Sequence, residues 1–422
     1  MNRSALTLAL TAVFGATPVF AQATVDEKLQ ILQQEIDELK AQRAAKPASS
    51  AAQLSPSSPE YGSMLDRSSG LADGGTGIIG YGELAYGKFR QSGDATADLA
   101  RFVFGFNHRF DERLTLHSEV EVEHAVASSE DRGEAEIEQA WVNYRSGDAL
   151  NFKGGLYLIP IGILNETHEP PTYYGVQRNQ VETRVIPTTW RELGAGVHGV
   201  FAESFSYEVG VTTSFDSGKL DDPTTGIRSA HQEGQLANAR DLAVYGALAY
   251  RRPGLLVGGG VFSGDTGQNG ASNPALQGVP ARFTMWDVHA QYRVAGLDLQ
   301  ALYSSGRLGD AGKVTAALFA ADPATAFAAP KSMTGWYAQA AYHVYKRGNF
   351  DVAPFVRYER IDIRQSEDPA NGLLQDPRND ERIKVAGVNF WIHPQVVLKA
   401  DIQWYTADKS QNRFEIGGGF MF

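Results

Sequence analysis

Cysteine is absent from the 422 residues. That excludes a disulfide framework, thiolate metal sites and a cysteine nucleophile. Long apolar runs are scarce as well. The stretch Ala5–Val13 is too short for a spanning helix, which needs about 20 apolar residues. Every later apolar stretch is cut by a charge, a glycine or a proline within about ten residues. If the chain resides in a membrane, it must therefore cross as a closed barrel, the other structure that satisfies all backbone polar groups in lipid. A cationic surplus is missing too. Lys and Arg number 38 against 49 Asp and Glu, for a net charge of −11, which argues against nucleic acid as a partner. The nine histidines are scattered with no H-x-x-x-H pair, so neither a metal ligand set nor a cofactor is expected. His117, His198, His289 and His343 have no nucleophile motif beside them, which argues against an outer-membrane hydrolase.

What is present falls into four regions. Arg3, the apolar run and the small residues around Val19–Ala23 read as an export signal over residues 1–21. In residues 24–43, Val25, Leu29, Leu32, Ile36 and Leu39 alternate spacings of four and three within a highly charged sequence. That is a coiled-coil seam, too short to be stable alone, and it predicts a parallel coil on an oligomer, expected to be a homotrimer. A lone amphipathic helix is the blander alternative. Residues 44–76, rich in Ala, Ser, Pro and Gly, read as a flexible linker that would let the coil stand off on the periplasmic side.

Residues 77–422 alternate with period two in strand-length segments. Phe102, Phe104 and Phe106 oppose Arg101, Gly105, Asn107 and Arg109. Leu116, Val120 and Val122 oppose His117, Glu119, Glu121 and Glu123. Trp286, Val288 and Tyr292 oppose Asp287, His289, Gln291 and Arg293. One face is aliphatic and aromatic, the other densely charged, as lipid outside and water inside would require. Connections also alternate in length. Short turns such as Ala202–Ser204 and Ala295–Gly296 follow long loops such as Ile159–Arg191, Asp216–Ala239 and Gly306–Met333. The expected fold is all-β: a transmembrane barrel of about 16 antiparallel strands, preceded by the short helical coil. The phase of the segments around Tyr81 and Trp141 is ambiguous. The last strand carries Phe414, Ile416, Gly418, Phe420 and Phe422 in one phase, and Phe420 and Phe422 are the expected signal for the barrel assembly machinery.

The run Gly155-Leu156-Tyr157-Leu158-Ile159-Pro160-Ile161-Gly162 resembles the G-x-aromatic-x-x-P-x-G turn of the phosphate-selective porin O and P family. Val181–Arg184, Arg191-Glu192-Leu193-Gly194 and Pro354–Glu359 add to the resemblance. It implies a trimeric barrel in the outer membrane whose third loop folds into the lumen as a constriction lined by basic residues. The sequence departs from the family in having Leu158 where many members have Lys, and in the acids Glu166, Glu169, Glu182 and Glu192 of that loop region.

The expected function is a water-filled channel for passive diffusion of small hydrophilic solutes and ions, with anion or phosphate preference as the finer expectation. A non-conducting tethering barrel is the alternative. The charge at the narrowest ring sets selectivity, and charges act together within a Debye length of about 8 Å. The candidate constriction residues are Glu166, His168, Glu169, Arg178, Glu182, Arg184 and Arg191. The candidate wall residues are Arg101, Arg109, Arg293 and Arg357 on a basic side, and Glu119, Glu121 and Glu123 on an acidic side opposing it. Tyr173, Tyr174 and Trp190 are expected to pack the loop against the wall.

Overall fold

The computed structural model describes residues 71–422. The expected signal sequence, the coil seam and the linker up to residue 70 lie outside the described residues. Among the described residues no helix is long and apolar enough to cross a membrane.

Sixteen antiparallel strands close into one barrel. They run as β1 (Thr76–Phe89), β2 (Ala95–Arg109), β3 (Leu114–Glu123), β4 (Ala135–Arg145) and β5 (Asn151–Leu158), followed by β6 (Arg191–Phe201), β7 (Phe205–Thr213), β8 (Leu242–Arg252) and β9 (Leu255–Gly264). The remainder are β10 (Phe283–Val294), β11 (Leu297–Leu308), β12 (Pro330–Tyr342, resuming over Tyr345–Arg347), β13 (Phe350–Gln365), β14 (Asp380–His393), β15 (Val396–Tyr405) and β16 (Arg413–Met421). Both pieces of β12 pair with β13, so an irregularity at His343–Val344 interrupts one strand and adds none. β1 pairs with β2 on one side and β16 on the other, which closes the cylinder. The first strand begins at Thr76, which the sequence assigns to the linker.

The alternation follows the two solvents. Phe102, Phe106, Val209, Val244, Val288 and Leu398 point outward. Where a strand nears the short-turn end, the outward residue is often aromatic, as at Tyr144, Phe152, Phe201, Tyr292 and Phe422. A second aromatic set, Tyr86, Trp286, Tyr303, Trp404 and Phe414, marks the loop end. Two aromatic girdles around an aliphatic band are the signature of a lipid-facing barrel wall. The two ambiguous segments resolve inward. Tyr81 and Trp141 are buried inside, where the indole Nε1–H donates to Gln139 (3.1 Å) and the ring stacks on His117.

The lumen is not uniformly polar. Trp190, Phe215, Phe262 and Phe283 form an aromatic cluster with centroid separations of 4.6 to 6.5 Å, and Ile227, Leu276 and Val314 extend the same core. Long loops after β7, β9 and β11 therefore fold inward and pack. The stretch Gly306–Met333, expected as loop alone, contains a helix, α1 (Ala311–Ala321), whose buried Ala311, Val314, Ala317 and Leu318 join this core. Its run of Ala and Leu, the strongest helix formers, accounts for it.

Candidate functional site

The third loop at the long-loop end of the barrel, residues 159–190, is the element that shapes the lumen. Its root is built around Glu182. One carboxylate oxygen accepts the backbone N–H groups of Ile163 (2.6 Å) and Leu164 (2.7 Å), and the other accepts from Asn179 Nδ2 (3.0 Å) and the Tyr337 hydroxyl (2.7 Å). Gly162 is required just before those amides. Its φ is +82°, and a Cβ there would sit 2.6 Å from the Glu182 carboxylate. Asn165 ties the two ends of the loop together: its Nδ2 donates to the carbonyls of Ile159 and Trp190 and its Oδ1 accepts from Trp190 N–H. Val181–Val185 forms one wide π-type turn, closed by Ile186 N–H on the Val181 carbonyl (2.9 Å).

From this root the loop crosses to the opposite wall and is bound there, mid-strand on β1, β13 and β15 and at the short-turn end of β11. The Tyr173 hydroxyl donates to Glu83 on β1. Burial, then the Glu83 charge, hold that phenol well above its usual range, so it remains a neutral donor. The Tyr174 hydroxyl donates to Asp298 on β11 (3.1 Å). Val176 N–H donates to Asp401 on β15 (2.6 Å) and Gln180 N–H to Glu359 on β13 (2.6 Å). Asn389 and Trp391 of β14 reach the carbonyls of Tyr173 and Pro171. The wall makes room where the loop touches it. A Cβ at Gly260 would lie 2.7 Å from Ile161, one at Gly335 would lie 2.9 Å from Val181 and Val185, and one at Gly417 would lie 2.8 Å from Val176. At Gly419 it would collide with Pro170.

The expected constriction residues separate by environment. Glu166 is exposed to the lumen. Glu182 is buried and spends its charge on the loop's own amides, so it does not face the passage. His168 is also an anchor: its Nδ1 faces the Asn165 carbonyl (2.9 Å) and its Nε2 the Glu138 carboxylate (2.9 Å). Glu169 is buried where Pro170–Thr172 turns. Arg191 is the first residue of β6 and pairs with Glu136 (2.5 Å) and Glu233 (3.3 Å). Glu192 is buried against Thr213 and the Trp190 indole. Arg184 bonds the Thr224 and Arg378 carbonyls and Asn379, and burial draws its pKa below the ordinary value. Tyr173, Tyr174 and Trp190 pack as expected.

Arg178 stands apart. It is 7 % exposed, and its Nη1 donates to Thr188 (2.7 Å) and Thr189 (2.9 Å), while Nε and Nη2 are buried with no hydrogen-bond partner. Among the described residues no carboxylate lies within ion-pairing distance of it. Lys399 on β15, which the sequence did not single out, is 3 % exposed with an unpartnered Nζ, seated 3.4 Å from the centroid of the Tyr173 ring. The two cations act on each other electrostatically.

The expected opposition of a basic and an acidic wall does not occur. Arg101 on β2 bridges Glu83 (3.2 Å) on β1 and Glu121 (3.0 Å) and Glu123 (3.4 Å) on β3, so the arginine and the acids share adjacent strands and neutralise one another. Strand register places Arg101 opposite Glu123, which makes the pairing local. Glu119 lies on the same strand and accepts from Gln139 (2.8 Å). Arg109 pairs with Asp73 at the short-turn rim, and Arg293 pairs with Asp298, the carboxylate that also accepts from the Tyr174 hydroxyl of the loop. Arg357 is buried against Glu359 (2.7 Å) and donates to the Tyr174 carbonyl (2.9 Å), where it supports the loop. One set of potential metal ligands lies in this region: donor atoms of Glu119, Glu138 and His168 fall within 4.8 Å of one another.

No family model matches the chain. Its fold is that of porin-type outer-membrane barrels. OmpF of Salmonella typhi, solved as a complex with daunomycin, superposes with a TM-score of 0.54 at 13% identity, over 82% of this chain and 97% of that one. The outer membrane channel DcaP of Acinetobacter baumannii gives 0.52 at 10% identity, over 82% and 97%. A loop L8 deletion mutant of OmpT, an outer membrane protein of Vibrio cholerae, gives 0.52 at 12% identity, over 83% and 100%. By sequence, an uncharacterized protein of Aquifex aeolicus is 31% identical over 336 residues, covering 78% of this chain and 75% of that protein. The chain thus belongs to the same family as the Aquifex aeolicus protein, a family built on the sixteen-stranded porin-type barrel.

Proposed function

We propose that this barrel is a channel of the outer membrane, through which small hydrophilic solutes diffuse passively, and that it favours anions. The observation that carries the reading is the third loop. It is held across the lumen by bonds to β1, β11, β13 and β15, where a constriction acts on every solute. A tethering barrel would have no use for such a crossing. The preference for anions rests on charge compensation. The buried Glu182 of the loop is consumed by amides and a hydroxyl, while among the described residues Arg178 and Lys399 keep guanidinium and ammonium nitrogens without partners. Glu166 opposes them from the exposed part of the loop. The resemblance to the phosphate-selective porins makes phosphate the first anion to try. We further propose that the assembled form is a homotrimer in outer-membrane lipid, delivered by the barrel assembly machinery, with the coil of residues 24–43 on its periplasmic side.

The test is the zero-current potential of single channels in a planar bilayer under a KCl gradient, followed by titration with phosphate. An anion-selective potential that falls toward zero in Arg178→Gln and Lys399→Gln supports the reading, and block by phosphate extends it to the family's solute. A wild-type channel as cation-selective as both variants would refute the anion preference. Folded barrel without conductance would refute the channel itself.

A further inference from the structure

The anchor between the third loop and the β3–β4 wall holds a group of side chains that the channel does not need. Glu119, Glu138 and His168 are 4 %, 0 % and 3 % exposed. Each offers a donor atom, and the three atoms lie within 4.8 Å of one another. Glu138 owes its place to a β-bulge. The register of β3 against β4 passes from Glu119↔Gln139 to Val120↔Ile137, so Glu138 is the extra residue, turned inward beside Gln139. Bulges re-aim a side chain in this way at the cost of a ladder bond.

The histidine is oriented from outside the group. Its Nδ1 faces the backbone carbonyl of Asn165 at 2.9 Å. A carbonyl only accepts, so Nδ1 carries a proton, and in the neutral ring Nε2 is left with a lone pair. That nitrogen is 2.9 Å from Oε1 of the fully buried Glu138 carboxylate. Two buried carboxylates and an imidazole nitrogen that converge on one point call for a positive charge among them, either a proton on Nε2 or a metal ion. The second shell has the form that metal ligands require: a carbonyl on the far nitrogen of the histidine, Gln139 Nε2 on Glu119 (2.8 Å) and the Tyr81 hydroxyl on the other oxygen of Glu138 (3.4 Å). Arg178 and Arg191 also act on Glu138, but neither forms an ion pair with it within the described residues; Arg191 is held by Glu136 and Glu233.

We infer that Glu119, Glu138 and His168 form a binding site for a divalent transition metal, of which Zn²⁺ is the best match. One imidazole nitrogen and two carboxylates are a borderline donor set, and their two charges balance the ion. The metal closes the barrel wall onto the third loop, at the residue that follows the loop's root by a few positions. It takes no part in conduction and ties the loop to the paired strands β3 and β4, so the site stands whether or not the channel is anion-selective.

The experiment uses untagged, detergent-purified full chain, stripped with a chelator and titrated with Zn²⁺ against a chromophoric competitor. Heat-modifiable migration on gels reports that the barrel is folded. Wild type is expected to bind about one Zn²⁺ per chain, with affinity reduced at least about tenfold in His168→Gln and in Glu138→Gln. Zn²⁺ is also expected to slow proteolysis within residues 159–190 of wild type and to leave that of His168→Gln unchanged. If His168→Gln does not fold, Glu119→Gln serves in its place. Folded wild type that binds Zn²⁺ no better than the variants would overturn the site, and would leave His168 as a protonated partner of Glu138.

Discussion

The loop that crosses the lumen depends on one carboxylate, and the consequence of removing it can be worked out from its bonds. Glu182 accepts from two backbone amides, an asparagine side chain and a tyrosine hydroxyl at 2.6 to 3.0 Å. A hydrogen bond to a charged acceptor contributes roughly 1.5–3 kcal/mol net. Glu182→Ala removes four and leaves the Ile163 and Leu164 amides unpaired in a buried site. Bonds that share one acceptor group are not additive, so about 4–8 kcal/mol is the range to expect. That is comparable to the whole stability of an ordinary domain. It falls on the loop, because the ladder of the sixteen strands contains none of these four bonds. Glu182→Gln keeps one carbonyl oxygen, which can still take both amides. Its NH₂ group then meets Asn179 Nδ2, donor against donor, so this variant should be intermediate.

The assay is single-channel recording beside limited proteolysis. Wild type should conduct at one quiet level and resist cleavage over residues 159–190. Glu182→Ala should assemble, switch among several conductance levels, lose most of its ion selectivity, and be cut within that loop. Glu182→Gln should fall between. A Glu182→Ala channel as quiet and as resistant as wild type would refute the claim that this carboxylate holds the constriction.

Three further outcomes follow from the packing. Gly419→Val places a branched side chain where Pro170 of the loop lies, and overpacking of this kind costs about 1–3 kcal/mol, so the loop should shift and conductance change while the barrel persists. Phe422→Ala should lower the amount of assembled barrel in the outer membrane far more than the loss of one half-exposed ring accounts for. Its backbone still bonds to Gly80 in both directions, so normal levels of the variant would dismiss the terminal aromatic as an assembly signal. Deleting residues 24–44 should leave single-channel conductance intact and reduce the trimer captured by cross-linking. Lost conductance from a folded deletion variant would make the coil part of the passage.

How much of this the sequence reveals depends on whether a residue's environment is set locally. The strands were legible because two solvents impose one rule on every second residue: Phe102 and Arg101 must face apart wherever the strand sits in the barrel. Each of the sixteen expected segments corresponds to a strand. The helix Ala311–Ala321 escapes a period-two reading although its composition announces it, because a long connection between strands carries no alternation to mark what lies inside it. The inner core was missed for a different reason. Leu220, Ile227 and Leu276 occur singly in polar loops, without a period, and nothing near them in sequence tells that they meet Phe215 and Phe283 inside the barrel.

The charges of the third loop show where such a reading must stop. Glu166 and Glu182 look equivalent in sequence, two acids in one loop inside a water-filled barrel. One is exposed to the lumen and the other is spent on the amides that follow Gly162. What separates them is geometry between positions some twenty residues apart, and the same geometry ties the glycine of the strand-ending turn to the Val-Glu-Thr-Arg segment in this chain. The glycine supplies the positive φ that points two amides at one place, and the glutamate supplies the charge that holds them there. A carboxylate with that duty cannot also set the field of the pore. On the proposed reading selectivity falls to charges the scaffold leaves unused; among the described residues these include Arg178, with no carboxylate within ion-pairing distance, and Lys399, seated on an aromatic ring.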